Sequence, residues 1–215
     1  MKAAEAICGA CTRLAREGLV IGTAGNVSAR SGDEVSLTPT GGVFGDIAPE
    51  DITVVDLDGN VVGGRLAPTS ELALHLRVYE RVDGAGAVVH THAPMATALS
   101  CVVDEVPAIH YQMLALGGSV PVARYETFGT DELADAVVEA LAGHTAVLMR
   151  SHGALSYGPD LDTAVELALL LEWACTLYWR ASMVGRPTPL SQQQLEDVVA
   201  SASRHRYGKP RALDG

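Results

Sequence analysis

The sequence predicts a three-layer α/β/α sandwich around a central β-sheet that is mixed or mainly antiparallel. Segments with helical periodicity alternate with short apolar or β-branched segments, which is typical of helices and strands that share one core. Several strand segments are separated only by turn residues such as Asp58-Gly59, which favours antiparallel hairpins. No stretch rich in Pro, Gly or Ser divides the 215 residues, so we expect a single domain over 1–215.

The first part of the chain predicts one helix, a run of strands and a second helix. Residues 2–18 have the amphipathic pattern of a helix that Gly18 ends. Strands are then expected where β-branched residues meet turn residues: within 22–30 after a glycine loop, within 34–42 before a turn, at 52–56, and at 61–64. A helix over 70–82 follows, and its expected N-cap is Thr69 or Ser70.

The remaining sequence alternates apolar strands with helices. Apolar runs predict buried strands at 87–90 and 146–150, and 153–158 is the expected partner of the second. Helical patterns predict the other elements, which are 94–102, a short helix within 107–118, 131–142, 160–184 and 191–203.

Composition excludes several classes of function. Hydrophobic residues make up 48% of the chain and charged residues 19%, as in soluble globular proteins. The net charge is −11 and Lys and Arg do not cluster, which argues against a nucleic-acid partner. The N-terminal segment lacks the unbroken apolar stretch of a signal peptide, and no segment has the length of a membrane span. We therefore expect a cytoplasmic protein that binds neither nucleic acid nor membranes.

The segment VVHTHAP (88–94) predicts a metal site. Side chains two apart on a strand point to the same face, so His90 and His92 converge. His152 also follows an apolar strand, and Gly153 beside it allows close backbone approach. Three histidines with an open fourth position form a catalytic zinc pattern, whereas the alternative is three ordinary histidines at strand ends. The other histidines are expected on helix surfaces or in loops as non-ligands: His75, His110, His144 and His205. For His75 the alternative is a residue that supports a metal ligand from behind.

Three further segments have residues that bind anions. Glycines and hydroxyls in GTAGN (22–26) and TPTGG (38–42) can form backbone nests for phosphate, and PTSE (68–71) begins a helix. Neither glycine loop has a nucleotide-binding fingerprint, and each alone is also consistent with a plain turn. Glu71 is either an ordinary acidic residue at a helix start or a carboxylate that meets the metal and the substrate.

Together these motifs resemble the class II aldolase/adducin family. The likeness extends over nearly the whole chain, and the motifs stand in the family's order: GTAGNVS, TPTG, PTSE, AVVHTH, PAIHY, TFGT, a His-Gly pair and a Tyr-Gly near the C-terminus. The resemblance implies an α/β/α sandwich around a central, mostly antiparallel sheet. It also implies a metal-dependent aldehyde-lyase and a cyclic homotetramer with active sites at subunit interfaces.

The resemblance also implies a role for each matched residue. Zinc, or another divalent metal, would be held by His90, His92 and His152, and by Glu71 in the resting enzyme before it acts as acid/base. The substrate phosphate would be held by Asn26, Thr40, Gly41, Thr69 and Ser70. Tyr111 would reach in from the neighbouring subunit to protonate the aldehyde oxygen, and the residues closing over the site would be Phe128 and Tyr207.

The implied reaction is reversible cleavage of a ketose 1-phosphate, such as L-fuculose 1-phosphate, into dihydroxyacetone phosphate and a small aldehyde. Relatives that act as aldolases on 5-deoxypentulose phosphates, as dehydratases or as pentulose-phosphate 4-epimerases are alternatives, although Glu71 stands where such epimerases carry Asp. A zinc hydrolase and a non-catalytic module like the adducin head are alternatives from other classes. Retention of the three histidines and Glu71 argues against the module.

Overall fold

The computed structural model describes residues 2–205, in which a nine-stranded sheet lies between two layers of helices. The strands are β1 (Asn26–Ser31), β2 (Glu34–Leu37), β3 (Thr53–Asp56), β4 (Val61–Gly63), β5 (Ala87–Thr91), β6 (Glu105–Val106), β7 (Val120–Ala123), β8 (Ala146–Met149) and β9 (Gly153–Gly158). The helices are α1 (Lys2–Arg16), α2 (Leu72–Arg81), α3 (Pro94–Ser100), α4 (Asp131–Ala140), α5 (Leu161–Val184) and α6 (Gln192–His205).

Across the sheet the strands stand in the order β4-β3-β2-β1-β5-β9-β8-β7-β6. Every neighbouring pair is antiparallel except β7 and β8, which confirms the predicted mostly antiparallel sheet. In the central strands, Asn26 of β1 stands opposite His90 of β5, and Thr91 of β5 stands opposite Ala154 of β9. This register brings the ends of three strands together at one place.

Each face of the sheet has its own apolar core. Helices α1, α3 and α5 cover one face, and α2 and α4 cover the other. Alternate side chains of a strand point to opposite faces, so Val89 packs beneath α5 whereas Val88 faces α2 and α4. His90 has the parity of Val88 and therefore lies on the side of α2. Among residues 2–205, no helix is long and apolar enough to cross a membrane.

Two strands near one edge of the sheet were not predicted. β6 has two residues, too few for a pattern, and β7 contains Pro121, a residue that normally argues against a strand. Pro121 is tolerated because β7 pairs with β8 through its last two residues and meets only the short β6 on its other side.

The predicted helix within 107–118 is a 3₁₀ helix over Tyr111–Leu116. The backbone is extended at His110, and Gly117 and Gly118 end the turn with φ of 101° and 100°, a region that favours glycine. The helix is short because both glycines have a positive φ, and a right-handed helix cannot continue through them.

The predicted N-cap of α2 is wrong. Glu71, and neither Thr69 nor Ser70, occupies that position, and its side chain makes no capping hydrogen bond. The reason is tertiary: Pro68 forms a β-bridge with Pro39, and the Thr69 N–H donates to the Thr38 carbonyl at 3.2 Å. These contacts hold residues 68–70 in a turn, so the helix begins at Leu72.

Candidate metal centre

Three imidazoles meet where β5 ends and β9 begins. His90 is a fully buried residue of β5, His92 follows the strand, and His152 directly precedes β9. One ring nitrogen from each histidine lies within 4.8 Å of the corresponding nitrogen of the other two, and the ring centroids are 4.9–5.0 Å apart. The structure therefore brings together the three histidines that the sequence singled out, in a group that can bind a metal.

Gly153 makes this close approach possible. A Cβ added there would lie closer than 3.0 Å to the Thr91 carbonyl oxygen, and 3.1 and 3.2 Å from ring carbons of His92 and His90. The hairpin turn before it is also tight, with Ser151 at a φ of 53° that non-glycine residues rarely adopt. The small residue and the tight turn together place His152 against the end of β5.

The hydrogen bond of His90 fixes which ring nitrogen faces the centre. Its Nδ1 lies 2.9 Å from the Ala154 carbonyl oxygen, which only accepts, so Nδ1 carries the hydrogen. The lone pair of Nε2 then points to the centre, 3.1 Å from Nε2 of His92 and 3.1 Å from Oε2 of Glu71. A lone pair that faces a carboxylate is repelled unless a cation lies between them.

Glu71 completes this donor set from the start of α2. Its side chain is buried, and Oε1 lies 3.5 Å from Nε2 of His152. Within residues 2–205, Oε1 accepts no hydrogen bond although it is removed from solvent. A buried carboxylate oxygen without a donor, beside three imidazoles, fits a divalent cation bound by these four side chains.

The protonation states agree with metal binding. Burial, followed by the neighbouring His90, lowers the pKa of His92 to about 4, and burial also lowers the pKa of His152. Both imidazoles are therefore neutral near pH 7, as metal ligands must be. Burial alone would raise the pKa of Glu71, but positive charge at the position of His90, which a bound cation would supply as well as a protonated ring, and the hydrogen bond from Asn26 hold that pKa below its ordinary value.

A cleft of about 480 Å³ opens beside the histidines. His92, His152 and Glu71 form one part of its wall, and the predicted anion-binding residues form another: Asn26, Thr40, Gly41, Thr69 and Ser70. The bridge between Pro39 and Pro68 joins the two segments that carry four of these residues. The three motifs predicted from sequence therefore share one cleft with the metal group.

The remaining predicted site residues lie in three different places. Phe128 lines the cleft and is 65% exposed, and the adjoining Gly129 packs against the Ser70 carbonyl. Tyr111 does not line the cleft of its own chain; its ring packs on His110, with centroids 4.6 Å apart. Tyr207 lies outside the described residues.

Comparison with known proteins decides the family. The family model described as "Class II Aldolase and Adducin N-terminal domain" matches residues 5–179. The chain belongs to the class II aldolase/adducin family. The predicted family, fold class and enzyme class are thereby confirmed.

Named members of the class II aldolase family are similar along most of their length. The 5-methylthioribulose-1-phosphate/5-deoxyribulose-1-phosphate aldolase of Rhodospirillum rubrum is 38% identical over 85% of this chain and 82% of its own. The L-fuculose phosphate aldolase of Escherichia coli is 38% identical over 92% of this chain and 93% of its own. A solved structure of an L-fuculose 1-phosphate aldolase superposes with a TM-score of 0.89 at 33% identity, covering 96% of this chain and 97% of the other.

Two further residues of this class II aldolase support the centre, and of these only Glu172 was not predicted. His75 was expected on a helix surface, with support of a ligand as its alternative; it is a fully buried residue of α2 and contacts Asn26 and Ser28. Glu172 of α5 accepts hydrogen bonds from the N–H groups of Met95 and Ala96, at 2.9 and 2.8 Å. Glu172 thus holds the first turn of α3, which begins two residues after His92.

Proposed function

We propose that this chain is a divalent-metal-dependent class II aldolase that reversibly cleaves a ketose 1-phosphate into dihydroxyacetone phosphate and a small aldehyde. The observation that carries the proposal is the meeting of a three-histidine group, a buried carboxylate and an anion-binding cleft at one end of β1, β5 and β9. Zinc is the metal we propose, because three imidazoles with an open position are its usual catalytic ligand set.

The cleft supports binding of a phosphate at a fixed distance from the metal group. Thr40 and Ser70 are exposed in its wall, and Gly41 has a φ of 71°, which favours a backbone turned toward an anion. With the phosphate held there by the five residues named above, the opposite end of a three-carbon unit lies near the histidines. Anchoring of this kind selects which carbon is presented to the aldehyde.

Glu71 is the proposed acid/base. Its pKa lies below the ordinary range, so the residue is a carboxylate that can accept the proton from C1 of the bound ketone. A bound divalent cation supplies the Lewis acidity that stabilises negative charge on the carbonyl oxygen. Glu71 is thus proposed both to meet the cation in the resting enzyme and to move the proton during the reaction.

Tyr111 and Phe128 are proposed to act at the open side of the cleft. Tyr111 is 38% exposed and lies away from the cleft of its own chain, which supports a role in the site of a neighbouring copy. There it would donate a proton to the aldehyde oxygen, and the assembly would be the predicted homotetramer. Phe128 would cover the bound substrate, and Tyr207 stays a predicted partner in that closure.

The names of the relatives suggest two substrates for the first test. L-fuculose 1-phosphate and 5-deoxyribulose 1-phosphate share the phosphorylated three-carbon end and differ in the aldehyde that cleavage releases. The purified enzyme should release dihydroxyacetone phosphate from at least one of them, and removal of the metal with a chelator should abolish release. Release of inorganic phosphate would indicate a hydrolase, and an epimer or a dehydrated product would indicate one of the related activities.

The role of Glu71 has a separate test. Glu71→Gln should retain the metal on the three histidines but lose exchange of the C1 proton of dihydroxyacetone phosphate with deuterated solvent. Undiminished exchange would remove Glu71 from the acid/base role while leaving the metal site intact.

A further inference from the structure

We propose that His75 is a positioning residue that fixes the side-chain amide of Asn26 and, through it, the carboxylate of Glu71. This role matters for turnover because Glu71 is the proposed acid/base. His75 does not line the cleft, and the hydrogen bonds that link it to Glu71 pass through Asn26.

The arrangement follows from the spacing of α2 against β1. Glu71, His75 and Tyr79 recur every four residues along one side of α2, a rise of about 6.0 Å per step. Asn26 and Ser28 are two apart on β1, a rise of about 6.6–6.8 Å. The two repeats match closely, so polar side chains of the helix and the strand interleave in an otherwise apolar layer.

The result is an unbroken row of buried hydrogen bonds. The Tyr79 hydroxyl lies 2.7 Å from the Ser28 hydroxyl, which lies 2.7 Å from Nδ1 of His75. Nε2 of His75 lies 2.5 Å from Oδ1 of Asn26, and Nδ2 of Asn26 lies 3.0 Å from Oε2 of Glu71. All five side chains are buried, so solvent does not compete for these bonds.

The carboxylate at the end sets the direction of every bond. Glu71 only accepts, so Asn26 must present its NH₂ group to Glu71 and its carbonyl oxygen to His75. His75 must then donate from Nε2, and since burial lowers its pKa to about 3, the neutral ring accepts at Nδ1. Ser28 therefore donates to His75, and Tyr79 donates to Ser28. All donors point toward Glu71.

This direction gives His75 a specific task. The amide of Asn26 has two orientations related by a half turn, and only one of them places a donor against the carboxylate. The Nε2–H of His75 selects that orientation, because the other would bring two donors face to face. The second hydrogen of the Asn26 NH₂ group is then left for the cleft, where the substrate phosphate is proposed to bind.

The test compares His75→Phe with His75→Gln in the metal-loaded enzyme. Phe keeps a ring of similar size but cannot donate to Asn26, whereas Gln has an NH₂ group in reach of it. His144→Phe is the matched control, since His144 lies in a loop outside the cleft. Metal affinity is measured by competition with a chromophoric chelator, and exchange at C1 is measured with dihydroxyacetone phosphate in deuterated buffer.

His75→Phe should lower the exchange rate and the metal affinity, and the upper bound is the roughly 10- to 100-fold loss that follows removal of a ligand's own hydrogen-bond partner, here Asn26. His75→Gln should recover most of both, and the control should match wild type. A purely structural role would lower the melting temperature of His75→Phe without slowing exchange by the folded enzyme. Exchange within a factor of about two of wild type in folded His75→Phe would overturn the proposal.

A second measurement uses the wild-type protein and therefore does not depend on whether His75→Phe folds. ¹⁵N NMR of histidine-labelled wild type, with the signal assigned by its loss in His75→Gln, should show a neutral ring protonated at Nε2 near pH 7. A ring protonated at Nδ1, or at both nitrogens, would contradict the deduced direction. If wild type catalyses no exchange at all, the proposed function fails, and the NMR and metal-affinity results still decide the role of His75.

Discussion

A single methyl group at Gly153 should damage the metal centre and the fold together. In Gly153→Ala, the new Cβ lies closer than 3.0 Å to the Thr91 carbonyl oxygen, a distance that real Cβ atoms essentially never show. It also lies 3.1 Å from Cδ2 of His92 and 3.2 Å from Cε1 of His90. The clash therefore involves a backbone atom and two of the proposed ligands at once.

The magnitude follows from what can move. Thr91 and Ala154 are paired in the ladder between β5 and β9, so the backbone yields only by disturbing two buried central strands. Overpacking of this kind costs about 1–3 kcal/mol, and we expect the upper part of that range because the nearest atom is backbone. Displacement of the two imidazoles should add a loss of about 10- to 100-fold in metal affinity, as for other changes next to a ligand.

Urea unfolding of the metal-free protein measures the first effect, and competition with a chelator measures the second. Gly9→Ala is the control, because no atom lies within 4 Å of its Cβ and the position is inside α1. The control should raise the free energy of unfolding by about 1 kcal/mol, the difference in helix propensity between Gly and Ala. If Gly153→Ala matches wild type in unfolding midpoint and metal affinity, close packing at Gly153 does not position the histidines.

Three further changes test other parts of the centre. His92→Ala should lose bound metal and aldolase activity together, as elemental analysis and the cleavage assay would show; an active, metal-free variant contradicts the site. Glu172→Ala should lower the free energy of unfolding by about 1 kcal/mol, as for loss of a helix cap, and should weaken metal binding. A metal affinity equal to that of wild type would show that the position of α3 does not affect the histidines. The metal-free protein should lose stability as pH falls from about 6.5 toward 3, because the unfolded chain protonates the imidazole of His75 and the native protein does not. The loss is about 1.4 kcal/mol per pH unit for this residue, and a titration of His75→Gln with an equally steep slope would refute that origin.

The three-histidine group was predictable where it depends on local geometry. His90 and His92 are two apart on an apolar strand, and the period of a strand alone turns both toward one side. His152 is sixty residues further on, and its meeting with them depends on the pairing of β5 with β9, which no local pattern contains. That histidine was placed by the glycine beside it and by resemblance to a family.

His75 shows why burial of a supporting residue was not predicted, although support of a ligand was an alternative for it. In the segment LALHLRVY the histidine is flanked by Leu74 and Leu76, and a polar residue in a helix is usually taken as solvent-facing. Its burial is favourable only because Asn26 and Ser28 of β1 lie opposite and satisfy both ring nitrogens. Prediction of such a residue requires the partner strand as well as the helix.

The histidines and Glu71 are held by two different kinds of support. The histidines lie in or next to strands whose backbones are fixed by the ladder between β5 and β9. Glu71 is the N-cap residue that directly precedes α2, and among the described residues the hydrogen bond on its carboxylate comes from the Asn26 side chain. A carboxylate held by one side-chain amide can leave a cation and return without any change in the backbone that carries the imidazoles. The proposed acid/base role requires this division, because Glu71 must give up its place at the metal to the substrate while the three histidines stay where they are.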